Sequence, residues 1–204
     1  MMARKTWHWP APQRGSSTWH ALAAAVADGR HLLHGSRTPG LTVLEPRAPL
    51  DRSPDAYSKQ TAVFATEDPT WAISYAVRSK DCPQFLNACF YPGAEAGTTA
   101  QRRLFYSYGR RPDGSVPVSP GTVYVLDAAG FERQPSEDDP AVGSTVTECQ
   151  WTSLRPARVV AAFTVTPDDL PTPLPSHDTA SVDARIHEGP AAFPWGAPDR
   201  PWTP

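Results

Sequence analysis

The chain has no apolar run near the ~18 residues that a membrane-spanning helix needs. Its alanine-rich stretch, residues 21–27, is far shorter and follows a polar segment, so no membrane partner is expected. An excess of either charge is also missing. With 19 Lys plus Arg against 21 Asp plus Glu the formal net charge is −2, so no global field draws the protein to nucleic acid or to an anionic surface. Cysteine is scarce: Cys82, Cys89 and Cys149 have no zinc-ligand spacing, and being odd in number they cannot all pair. No signal-peptide apolar segment is present at the N-terminus, so the expected setting is cytoplasmic, with reduced thiols.

Proline is the residue in excess, with 24 copies, many of them in the last 40 residues. Such a density predicts irregular extended chain there. The 204 residues, 40% hydrophobic and 20% charged, suffice for one globular domain with a buried core. The expected organisation is an N-terminal arm over 1–15, a domain over 16–170 and a proline-rich tail over 171–204.

Periodicity and punctuation outline the elements. Ser16-Ser17-Thr18 predicts a helix cap, followed by Trp19, Leu22, Ala23 and Val26 at helical spacing and by Asp28-Gly29 as a stop. Strands are predicted over 30–34, 41–45, 61–66, 103–108 and 121–127, with a polar loop over 47–60 between the second and third. Asp68-Pro69 predicts a second helix, a capping carboxylate before a first-turn proline. The stretch 131–140 reads as an acidic loop, 145–152 as one strand, and 157–166 as a buried strand that closes the sheet. The strand 103–108 running into Gly109-Arg110-Arg111 reads as a hairpin strand with a basic tip. The alternative reading of its basic residues and tyrosines is a grip on a nucleotide base or single-stranded nucleic acid, and in a transferase it would be a place to choose the second substrate.

Two short stretches carry the chemistry. His34-Gly35-Ser36 places an imidazole, a backbone free of Cβ and a hydroxyl at one strand end. Phe64-Ala65-Thr66 follows, and Tyr75 lies eleven residues beyond Phe64, in the predicted helix, so that two rings flank one planar group. Taken singly, His-Gly-Ser is a common turn and each ring is ordinary core.

Together these motifs resemble the ADP-ribosyltransferase superfamily. The Phe64 to Tyr75 spacing is similar to the diphtheria-toxin branch, and the compact layout over residues 30–166 to the rifampin ADP-ribosyltransferases. The resemblance implies an α+β, split two-sheet ADP-ribosyltransferase-like fold with few flanking helices. It implies a mono-ADP-ribosyltransferase that takes NAD as co-substrate and passes ADP-ribose to an unidentified acceptor, whether protein, nucleic acid or small molecule. NAD would be held by His34, Gly35, Ser36, Phe64, Thr66 and Tyr75, with His34 on a ribose and Gly35 on the carboxamide. His34, Phe64 and Glu148 would form the catalytic set. Glu148 would stabilise the oxocarbenium-like ribose, with Asp138 and Glu132 as rival acids. Phe64 stands where the family has Tyr, which keeps a stacking surface and drops a hydroxyl. Arg37, Arg47 and Arg52 lie where they can meet a pyrophosphate. Two other readings are a catalytically silent nucleotide-binding module of the same fold and an RNA 2'-phosphotransferase-like enzyme, for which Arg37 and Arg158 would be the basic residues.

Overall fold

A computed structural model of the protein describes residues 16–49, 56–97, 101–139, 144–170 and 172–188. The predicted arm over 1–15 lies outside them, as does Arg52. Helix α1, Ser17–Val26, begins as its cap predicts, with the Ser16 hydroxyl accepting the Trp19 N–H at 3.1 Å. Leu22 is its fully buried residue, and Gly29, at φ +70°, turns the chain out of the helix.

The protein is mixed α+β, with two mostly antiparallel sheets and few helices. The first sheet comprises β1 (His31–Ser36), β2 (Val43–Leu44), β3 (Val63–Thr66), β6 (Gly121–Asp127), β7 (Glu132–Arg133), β10 (Gln150–Ser153) and β11 (Ala157–Val165). Its order is β2-β11-β6-β1-β3-β10-β7. The second sheet comprises β4 (Phe85–Pro92), β5 (Arg103–Gly109), β8 (Glu137–Asp139), β9 (Ser144–Glu148) and β12 (Ser176–His177). Its order is β12-β5-β4-β9-β8, with β12 parallel to β5.

Helix α2, Pro69–Val77, packs between the sheets. Asp68 caps it, Oδ1 accepting the Trp71 N–H at 2.7 Å. Ala72 and Ala76 approach the first sheet at glycines: a Cβ on Gly35 would stand 2.0 Å from the Ala72 carbonyl oxygen, and one on Gly121 2.1 Å from that of Ala76. The Trp71 indole N–H and the Tyr75 hydroxyl both donate to Asn87 Oδ1 of β4, at 2.8 and 2.9 Å. Leu33, Ile73, Val77, Val123 and Tyr108, all fully buried, join the helix to both sheets. Each such side chain contributes about 1.5–3 kcal/mol through burial.

Several local expectations change. The predicted strand over 145–152 is two strands, β9 in the second sheet and β10 in the first, with Cys149 at the crossing. The acidic stretch 131–140 contains β7 and β8, whose charged side chains are tolerated because these are the end strands of their sheets. Strand β11 does not close the sheet in a buried position: Arg158, Val160, Ala161, Ala162 and Thr164 are exposed, and only the two-residue β2 lies outside it. Strand β4, within a stretch of weak pattern, was not expected. Beyond residue 167, β12 and helix α3 (Thr179–Glu188) form despite the nearby prolines.

Candidate functional site

Strand β1 carries the site because it has two unlike neighbours. Along β6 it pairs over its whole length, from His31↔Asp127 to Ser36↔Thr122. Along β3, the register among the described residues is the single pair Leu33↔Thr66. Beyond that pair the imidazole of His34 spans the separation, its Nδ1 2.7 Å from the Phe64 carbonyl oxygen. A carbonyl can only accept, so Nδ1 carries the proton and Nε2 presents its lone pair. Burial holds the pKa of His34 below its usual value, and the Arg47 charge adds to the effect against the Phe64 hydrogen bond, so the ring is neutral at pH 7.

Alternation along the strand decides what faces where. Gly35 faces α2, and the close approach of Ala72 explains why no side chain is present. His34 and Ser36 therefore face the opposite side. There they line a cleft of about 170 Å³ with Leu41, Glu45, Arg47 and Val63. Ser36 Oγ accepts the Thr38 N–H at 3.1 Å, which shapes the turn leaving β1. The Tyr124 hydroxyl donates to the Thr38 carbonyl at 2.7 Å and accepts the Leu41 N–H at 3.1 Å, which fixes the wall of the cleft from β6.

The structure brings His34, Ser36 and the Phe64 backbone to one cleft. Thr66 is buried, its hydroxyl accepting the Asp68 N–H at 3.1 Å ahead of the helix cap. The Tyr75 ring lies edge-on to Trp71 and Phe85, with centroids at 6.0 and 5.0 Å, in the packing between α2 and the second sheet. Glu148 ends β9, in register with Phe90, and its carbonyl accepts from Arg133 Nη1 at 2.9 Å. Of the rival acids, Asp138 accepts from Thr145 Oγ1 at 2.6 Å, and Glu132 is exposed on β7. Arg37 and Arg158 are exposed, the latter in register with Val43 beside the cleft.

Sequence reasoning missed a cluster near the crossing from β9 to β10. Glu67 is ion-paired to Arg133 at 2.9 Å and accepts the Trp151 indole N–H. The Arg133 guanidinium stands 4.4 Å from the Trp151 ring centroid and also binds the Glu148 carbonyl. Three residues from separate strands and loops meet here, and no local spacing signals the encounter. Among the described residues, no helix is long and apolar enough to cross a membrane. Comparisons with protein-family models, curated proteins and solved structures return no match.

Proposed function

We propose that the protein is an NAD-dependent mono-ADP-ribosyltransferase with an ADP-ribosyltransferase-like arrangement of its two sheets. The observation that supports this most directly is the His34 imidazole, neutral and anchored through Nδ1 to the Phe64 carbonyl, with Nε2 left as an acceptor. Such a nitrogen accepts a ribose hydroxyl without competing for a proton. Of the residues that the resemblance assigns to NAD, His34, Ser36 and Phe64 adjoin the cleft, whereas Gly35 backs onto α2, Thr66 is buried and Tyr75 packs against the second sheet, so the latter three are assigned by the resemblance alone.

In the reaction the bond between ribose C1 and the nicotinamide nitrogen breaks, and its electron pair leaves with nicotinamide. Positive charge then spreads over C1 and the ring oxygen. Glu148, as carboxylate, stabilises that charge and steers the acceptor, whose nucleophilic atom bonds to C1 and gives up its proton to solvent. The acceptor is unidentified.

Nicotinamide release from NAD by the full chain tests the reading, with His34→Ala beside it. Release that vanishes in the variant is the expected result. A second reading, a silent nucleotide-binding module, is favoured by one feature: Phe64 lacks the hydroxyl of the family's Tyr. It predicts saturable NAD binding, lost in His34→Ala, with no nicotinamide released. Absence of NAD binding by the wild type would sink both.

A further inference from the structure

Of the six half-buried arginines among the described residues, three answer to an acid, while Arg78 lies over the Tyr75 and Phe85 rings, Arg103 binds backbone carbonyls and Arg110 binds the Ser176 hydroxyl. Arg102 pairs with Asp68 at 2.7 Å, Arg111 with Asp81 at 2.7 Å and Arg133 with Glu67 at 2.9 Å. Arg47 differs. Its backbone is fixed by a two-way bridge to Ala62, N–H to carbonyl at 3.1 Å and 3.3 Å, immediately before β3. Its side chain is exposed, lines the cleft with His34 and Ser36, and has no acidic or hydrogen-bonding partner among the described residues. A guanidinium on a rigid backbone, beside an acceptor imidazole and a hydroxyl, is suited to an anion with several oxygens. Among the described residues that line the cleft, the one acid is Glu45, which is exposed and so only weakly opposes it.

We propose that Arg47, with His34 and Ser36, forms an anion-binding corner of the cleft that takes the pyrophosphate of a dinucleotide. The identity of that anion as part of NAD rests on the transferase reading; the anion corner itself does not. Arg47 binds the phosphoryl oxygens through paired N–H groups, Ser36 donates its hydroxyl, and the His34 Nε2 stays with the adjoining ribose. The site then discriminates by charge, so adenosine alone is a poor ligand.

Calorimetric titration of the full chain with ADP-ribose, adenosine and inorganic pyrophosphate tests this, using wild type, Arg47→Ala, Arg47→Lys and His34→Ala. Arg47→Ala should weaken ADP-ribose binding by about 10- to 100-fold, the range for losing a charge-assisted hydrogen bond. Adenosine binding should not change, and Arg47→Lys should restore part of the loss, because charge returns without the paired geometry. The thermal midpoint of Arg47→Ala should match the wild type, since the side chain is exposed. ADP-ribose bound equally by Arg47→Ala and wild type, yet lost in His34→Ala, would overturn the anion corner and leave the NAD reading intact. Pyrophosphate bound by the wild type and lost in Arg47→Ala, without ADP-ribose binding, would uphold the corner and sink the NAD reading. Wild type binding neither ligand would overturn both.

Discussion

The cleft side of the first sheet and the α2-facing side of the second treat polar groups in opposite ways. Against α2, the Trp71 indole and Tyr75 hydroxyl share Asn87, the Tyr108 hydroxyl donates to the Ser74 carbonyl at 3.0 Å, and Asp68 meets Arg102. At the cleft, His34 commits only Nδ1, and Arg47 has no acidic partner among the described residues. The difference follows from desolvation. A polar group shut away from water costs several kcal/mol unless the fold pairs it, so the packed side is paired. A group that keeps water can remain unpaired, and those groups are the ones a ligand can use.

The comparison breaks most severely at Asp68. Asp68→Ala removes the helix cap and strands a buried guanidinium, at a cost of about 3–5 kcal/mol. For a chain of this size that lowers Tm by about 6–20 °C. Thermal unfolding measures it, and a loss below about 2 kcal/mol would mean that Arg102 finds other partners.

Acid exposes the same contrast through a second histidine. His177 is buried, its Nε2–H donating to Gln84 Oε1 at 3.0 Å and its Nδ1 accepting from Ser107 Oγ at 2.8 Å. Burial lowers its pKa to about 4, from 6.5. The unfolded chain therefore takes up the proton more readily, so stability is full above pH 6.5 and falls as pH drops towards 4. The contribution at stake is about 3 kcal/mol, and His34 acts with the same sign. Urea midpoints across this range should fall more steeply in the wild type than in His177→Asn; parallel curves would refute the assignment.

At the site, Glu148→Gln should cut nicotinamide release by about 100-fold or more and leave NAD affinity within a few-fold. Unchanged turnover would move the acid to Glu132 or Asp138. The smallest change belongs to Phe64→Tyr, which keeps the ring and should shift stability by under about 0.5 kcal/mol. A gain in turnover in that variant would identify the missing hydroxyl as limiting, and none would mean that the ring alone serves.

Much of the frame was legible where the signal is local. Ser16 and Asp68 cap helices because a short polar side chain reaches an N–H three residues on. Gly121–Asp127 has enough β-branched and apolar residues to read as a strand, and the structure buries both of its faces. Strand β4 was not legible: it mixes Asn87, Ala88 and Cys89 with aromatics, and its place depends on β5 and β9 beside it. The continuous run over 144–153 hid a change of sheet, because residues on both sides of Cys149 have the same extended preference. At the site, His34, Ser36 and Phe64 were legible as a motif, whereas the Glu67, Arg133 and Trp151 cluster was not, since its members are distant in the chain.

By itself, the sequence determined the helix starts, the main β-strands and the conjunction of His34-Gly35-Ser36 with Phe64 and Tyr75, all properties of neighbouring residues. Tertiary structure alone decided why residue 35 is glycine, which proton His34 carries and which arginines lack partners. Each of these depends on atoms from another part of the chain: the Ala72 carbonyl above Gly35, the Phe64 carbonyl beside His34, and the acids that reach Arg102, Arg111 and Arg133 while leaving Arg47 unpaired among the described residues. Packing sets those distances, and periodicity does not record them.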